Sequence, residues 1–207
     1  ALADYMKNEL IPAMAAWPVV IRKRDSIKYE GTEILLSQKT IELLDSIRDL
    51  SKNPANPLAL LYLCARVKGK ITNSALESRL FLIESFLARQ VLALVPLSPL
   101  RARIMDIAAE LDSEISEAKL KSVLRNQKLE SDANIKSKVK KGNYGTLEPV
   151  QLGAIFRGIE KSLSGRHAMN FKIGPSDYTI EHIYPKKDEK WLVDFRLWKT
   201  DARKMRA

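Results

Sequence analysis

The stretch from Ser74 to Val95 constrains the fold most. Apolar side chains recur at Leu80, Ile83, Phe86, Leu87 and Val91, three and four residues apart, which is the spacing of one helix face. So long an apolar face belongs to a central helix of a bundle, and the fold class expected is mainly α. Asn73-Ser74-Ala75-Leu76-Glu77 reads as the start of this helix, a capping box in which Ser74 accepts from the Glu77 amide while Glu77 reaches back.

The neighbouring segments agree. Ala3 to Ala16 carries apolar residues at helical spacing and is expected to end before Pro18. Val19 to Glu33 is short, alternating and charged, a loop or an irregular hairpin. Ser37 to Leu50 places Ile41, Leu44, Ile47 and Leu50 on one helical face. Asn53-Pro54-Ala55-Asn56-Pro57 is a turn, with Pro57 suited to the first position of a helix that reaches about Lys68 and stops at Gly69. Pro96 to Pro99 turns the chain before a helix over Leu100 to Leu111. Ser116 to about Lys128 is amphipathic and basic. Leu147 to Leu163 has Leu152, Ile155, Phe156 and Ile159 on one face. The domains expected are therefore a helical one over 1–164 and a different one over 165–207.

That second part changes character. Gly165, Gly174 and Pro175 introduce a β-like run, Asp177 to Pro185, in which Tyr178, Ile180, His182 and Tyr184 alternate with Thr179, Glu181 and Ile183. Pro185 stops the run because it cannot donate to a ladder. The tail carries Trp191, Leu192, Phe195, Leu197 and Trp198 among charges and reads as a loop and a helix.

No apolar run reaches the roughly 18 residues of a membrane span, and no basic segment followed by an apolar one opens the chain. The single cysteine, Cys64, excludes an intrachain disulfide and a cysteine-based metal cluster. It sits in an apolar run, Leu58 to Cys64, and reads as a buried core thiol. These features point to a soluble protein of a reducing compartment. The chain opens with Ala1 and not with Met, as a piece of a longer protein would.

The net charge of +10 is unevenly placed. Residues 1–118 and 142–164 each sum to zero, residues 119–141 carry +6 and residues 165–207 carry +4. A localised basic excess attracts polyanions, because each neutralised phosphate releases condensed counterions. Lys136, Lys138, Lys140 and Lys141, with Lys186 and Lys187 further on, are the candidate DNA contacts. The Lys136–Lys141 stretch is equally a flexible linker or a solvated lysine-rich helix on composition alone.

Most catalytic signatures are missing. There is no G-x-x-x-x-G-K-S/T, no G-x-G-x-x-G and no G-x-S-x-G. His167 lies in a turn-like setting and reads as a surface residue. His182 follows Glu181 directly inside the β-like run. A one-metal nuclease site needs such a pair: the carboxylate holds a hard divalent ion, and the imidazole takes a proton from the water that attacks phosphorus. A structural Glu-His pair on a strand is the other reading of the same two residues.

Tyr178-Thr179-Ile180-Glu181-His182-Ile183-Tyr184-Pro185-Lys186, followed by Trp191, resembles the I-E-H-I-x-P-Q signature, with its following Trp, of a family of HNH-type nucleases. This is the C-terminal domain of GmrSD-like and SspE-like, modification-dependent restriction enzymes. Ile83 to Gln90 is similar to the family's I-E-x-F-x-x-R-R helix, and Phe156-Arg157-Gly158-Ile159-Glu160 to the Y-x-L-x-x-I-E helix before the nuclease motif. The resemblance implies a truncated ββα-metal (HNH) motif beginning in 165–207, with His182 as general base and Glu181 as metal ligand. It also implies Mg²⁺ or Mn²⁺ as cofactor in the intact enzyme, with no ion held stably by this piece. DNA, modified or not, is the implied substrate, and the implied setting is the bacterial cytoplasm. The implied partner is an N-terminal ParB-like nucleotidase domain of the same protein. That domain's D-G-Q-Q-R motif is not in this sequence. Lys186 stands where the family has Gln, and no Asn or His occurs from Ile183 to Ala207, where the family's later site elements would begin. A basic helical DNA-binding or linker module without chemistry of its own is the alternative.

Overall fold

The computed structural model describes residues 2–21, 24–52, 56–111, 115–127, 130–141 and 147–164. All of them lie in the first of two units into which the chain divides, Ala1–Asn170. The β-like run at 177–185, the tail after it and the proposed domain over 165–207 lie outside the described residues.

The chain is mainly α. A helix formed by α1 (Leu2–Tyr5), a π-helical turn (Met6–Leu10) and α2 (Ile11–Val20) leads into a hairpin of β1 (Ser26–Tyr29) and β2 (Thr32–Leu35). Then follow α3 (Gln38–Ser51), α4 (Pro57–Val67), α5 (Asn73–Leu92), α6 (Leu97–Leu111), α7 (Glu117–Asn126), α8 (Asp132–Lys141) and α9 (Pro149–Ser164). The strands pair antiparallel, Ile27 opposite Ile34, through a two-residue turn at Glu30 and Gly31. Both turn residues have positive φ, 47° and 77°, which matches the right-handed twist of the strands. Of the two readings for Val19–Glu33, the hairpin is observed, and it inserts Ile27 into the core.

The core forms around α5, which packs against α3, α4, α7 and α8. Ile83, Phe86 and Leu87 are 0%, 2% and 0% exposed. From Ala75 to Leu92 only Phe81 is exposed, so this helix is enclosed on most sides as its apolar face requires. On the flanks, α4 packs on α2 and α6, α6 on α7, and α9 on α3.

Cap residues set the helix ends. Ser37, Asn56 and Ser116 accept from the amides of Thr40, Leu58 and Lys119 at 3.1, 3.0 and 3.1 Å. Pro57 occupies the first turn of α4. Gly69, at φ 67°, lets the Lys70 amide reach the Ala65 carbonyl at 2.9 Å and close that helix.

Several expected boundaries differ. The cap of α5 is Thr72, whose hydroxyl accepts from Ala75 N at 3.2 Å, so Ser74 is already helical and makes no capping box. Glu77 instead accepts from Ser37 Oγ at 2.6 Å and pairs with Lys39 at 3.2 Å, joining α5 to α3. α5 stops at Leu92, where Leu94 turns left-handed and Val95 N reaches Gln90 O at 3.0 Å. Pro18 does not end the first helix. It lacks one amide near the C-terminal end, and Ile21 N resumes the ladder on Trp17 O at 3.1 Å. Pro99 lies in the first turn of α6, where amides lack helical partners in any case, so that helix starts at Leu97 and not Leu100.

Two readings of the core also change. On α9 the residues buried are Gln151, Ala154 and Ile155, while Phe156 and Ile159 are exposed. The helix is held to the end of α3 by polar hooks. Gln151 donates to the Leu50 carbonyl at 3.0 Å, Arg157 pairs with Asp49 at 2.7 Å and Lys52 with Glu148 at 2.8 Å. Cys64 is half-buried at the edge of the core and not fully inside it. Burial pushes its thiol up to about 11, so at neutral pH it stays protonated and unreactive.

Truncating Phe86 to Ala is expected to destabilise the chain by about 3–5 kcal/mol, because α5 has no free side toward which neighbours can collapse. Urea unfolding reads this directly. The Ser37 hydrogen bond, and then Lys39, hold the Glu77 carboxyl below the usual carboxylate range. The stabilisation this gives is present above the ordinary range and is lost as pH falls through the lowered folded value. Glu77→Gln should therefore melt lower than the parent chain at neutral pH, with the gap closing in acid. A melting series against pH checks the sign.

Candidate nucleic-acid interface

The basic run 119–141 folds into two helices with different electrostatic fates. On α7, Lys119 pairs with Glu110 at 3.1 Å and Lys121 with Glu117 at 2.6 Å. The Glu117 carboxyl is held below its usual range by the Lys121 bond first and by the Ser78 hydroxyl, 2.8 Å away. Leu120, Val123 and Leu124 bury the other face of this helix. Two of the three cations of α7 are thus matched by carboxylates, and Arg125 stands exposed.

α8 differs. Ser131 caps it by accepting from Asn134 N at 3.1 Å, and Asp132 stands in its first turn. Lys138, Lys140 and Lys141 stand in its last turn, where the helix dipole favours cations. These ends explain why the segment is helical and not a flexible linker. It has no buried residue. Lys136, Lys138, Lys140 and Lys141 are all exposed, and none lies within ion-pair distance of a carboxylate among the described residues. At helical spacing Lys136 and Lys140 share one side, Lys138 and Lys141 the other. The four alpha carbons span about 7.5 Å of axis, so the positive charge is concentrated on a short stretch of the helix.

One side chain seats this helix. Arg89, on α5, donates through Nη2 to the Glu130 carbonyl at 2.6 Å and meets Asp132 Oδ1 at 2.7 Å. It therefore grips the N-terminal end of α8 and leaves the lysine end projecting. Asn134 adds a hydrogen bond to Glu130. Sequence reasoning missed this anchor. Arg89 stands in the Ile83–Gln90 helix singled out above, but its partners lie some forty residues on, and nothing local marks them.

Glu181, His182, Lys186 and Lys187 lie outside the described residues, as do His167 and Lys128. The structure therefore brings together four of the six candidate DNA contacts and leaves the Glu-His pair unplaced. Among the described residues, no three His, Cys, Asp or Glu side chains converge on one point. Nor is any described helix long and apolar enough to cross a membrane.

Fold and surface together define, among the described residues, a mainly helical domain with an exposed basic helix whose lysines meet no carboxylate there. Comparison with models of known protein families, with curated proteins and with solved structures finds no match.

Replacing Lys136, Lys138, Lys140 and Lys141 by Glu should weaken binding to duplex DNA strongly and flatten its salt dependence. Each phosphate contact removed takes about 0.9 from the slope of log K against log salt. Fluorescence anisotropy over a salt series measures both. An unchanged slope would remove α8 from the interface.

Proposed function

We propose that the chain belongs to a metal-dependent, HNH-type DNA endonuclease of a bacterial restriction system, supplying its helical domain and the first limb of its ββα-metal motif. One observation carries the reading: Glu181 and His182 adjacent in the run Tyr178–Lys186. The exposed lysines of α8 support it, since a nuclease must bind a phosphate backbone.

In this reading Lys136, Lys138, Lys140 and Lys141 bind phosphates, as do Lys186 and Lys187. His182 accepts a proton from the attacking water. Glu181 offers one hard oxygen, the donor type that Mg²⁺ or Mn²⁺ prefers, and a bound ion would neutralise charge building on the leaving oxygen. One carboxylate is a small share of the ligands such an ion takes, so the 207-residue chain would hold it weakly. The enzyme would work in the bacterial cytoplasm, with a ParB-like nucleotidase domain as the sensing partner. A second reading, a DNA-binding or linker module with no chemistry, is favoured by α8 alone, because the lysines need no catalytic neighbour.

Cleavage separates the two. In the intact nuclease, His182→Ala should lower metal-dependent cleavage of plasmid DNA by about 10²–10⁴ while leaving binding near normal. Glu181→Ala should shift the response to Mn²⁺ to higher concentration. The 207-residue chain alone should be nearly inactive. Cleavage that survives His182→Ala would undo the assignment.

A further inference from the structure

The second half of the first helix, Ile11–Val20, is apolar on both sides, yet only one side is covered among the described residues, and Leu2–Leu10 before it buries no residue. Pro12, Ala16, Val19 and Val20 are buried against the body, and Glu9 reaches back to Lys68 at 2.7 Å. Leu2, Tyr5, Met6, Ile11, Met14 and Trp17 are exposed, Leu2 to 77% and Met14 to 66%. A helix that is hydrophobic all round is normally enclosed.

The apolar residues of this side are in register, with Leu10 half-buried among exposed neighbours. Leu2, Met6, Leu10 and Met14 follow one another at intervals of four, with Trp17 next. Intervals of four overshoot a turn of 3.6 residues, so on a regular helix this stripe would wind around the axis. The π-helical turn, in which Ile11 N reaches the Met6 carbonyl, absorbs the excess and keeps the stripe straight. The stripe also reads alike from both ends about Leu10. Met6 and Met14 lie four residues to either side, Leu2 eight before and Trp17 seven after.

We propose that this stripe is a twofold interface on which a second copy of the chain docks, the two first helices crossing antiparallel about Leu10. Met6 then meets Met14 of the second copy, and Leu2 meets its Trp17. A twofold contact requires a patch complementary to itself, which this symmetry supplies. Methionine suits such a seam, since its flexible thioether fills gaps and packs well on an aromatic edge. The area fits as well. At roughly 150–250 Å² per large side chain, the six exposed fractions amount to roughly 500–800 Å² per copy. A pair would bury up to roughly 1,000–1,600 Å², which overlaps the range of stable interfaces. A lipid surface fits less well, because helices lying on membranes carry a Lys- and Arg-rich polar face. Between Leu2 and Val20 this helix has one cation, Lys7, beside Asp4 and Glu9. The pairing is independent of the nuclease reading.

Sedimentation of the 207-residue chain from low to high micromolar concentration tests it. The mass should rise to twice 23.4 kDa. Met14→Glu should weaken association by about tenfold or more, with helicity by circular dichroism unchanged, as 66% exposure of Met14 allows. Phe81→Glu, at an exposed phenylalanine on α5, should leave it unchanged. Leu10→Cys should form a disulfide-linked dimer under mild oxidation, with Cys64 too enclosed to compete. A monomer at every concentration overturns the proposal, as does full association by Met14→Glu. Flotation of a monomeric chain with anionic vesicles, lost in Met14→Glu, would assign the stripe to lipid and overturn it equally.

Discussion

The enclosure of α5 is the constraint on which the other elements depend. Leu76, Leu80, Ile83, Phe86, Leu87 and Val91 are all buried, and each contributes about 1.5–3 kcal/mol when removed from water. Helices that share this core inherit its rigidity. α8 has no buried residue of its own and takes its position from Arg89, an arginine rooted on α5. The same argument places α9 between the two cases. It buries Ala154 and Ile155 but depends on Gln151 and Arg157 for its angle to α3. The bundle thus grades from a dry centre to polar attachments at its rim, and local opening should follow that order.

Charge is distributed on the same principle. Near the core, cations are matched singly: Lys68 with Glu9, Lys39 with Glu77, Arg157 with Asp49 and Lys119 with Glu110. Such pairs are modest in energy at the surface. Their consequence is that these cations are matched where they stand, while the lysines of α8 have no carboxylate within ion-pair distance among the described residues. A small cluster on a neutral body focuses polyanions more effectively than the same charge spread evenly.

Periodicity made the core legible before the fold was seen. Ile83, Phe86 and Leu87 are where their spacing places them, and Pro57 and Gly69 bracket α4 as their backbone preferences require. What stayed hidden is what pattern does not encode. Thr72 and Ser74 are both good caps two residues apart, and only the tertiary claim of Ser37 on Glu77 decides between them. Phe156 and Ile159 look like core on a helical wheel, yet α9 meets the end of α3 and turns them outward. Pro18 reads as a stop, but near a helix end it removes one hydrogen bond and little else. Intervals of four from Leu2 to Met14 contain the π turn, visible only once one asks how the stripe stays straight. Of the candidate site, the lysines were legible as charge and their helix was not. The Glu-His pair drew notice as adjacent residues in a β-like run, the resemblance gave each a role, and both lie outside the described residues.

Four lysines within six residues repel one another, and the repulsion falls at the end of α8 that nothing described holds down. The opposite end is fixed by Arg89 on Glu130 and Asp132. Two influences therefore act on this helix: its dipole favours cations in the last turn, while their mutual field favours fraying. A polyanion that neutralises the lysines removes the second influence and keeps the first, so its binding and the helicity of α8 rise together. Linkage makes the effect reciprocal: what stabilises α8, Arg89 included, strengthens polyanion binding to the extent that binding and helicity are coupled. The half-buried Arg89 and the exposed lysines, at opposite ends of α8, are thereby coupled through the helix between them.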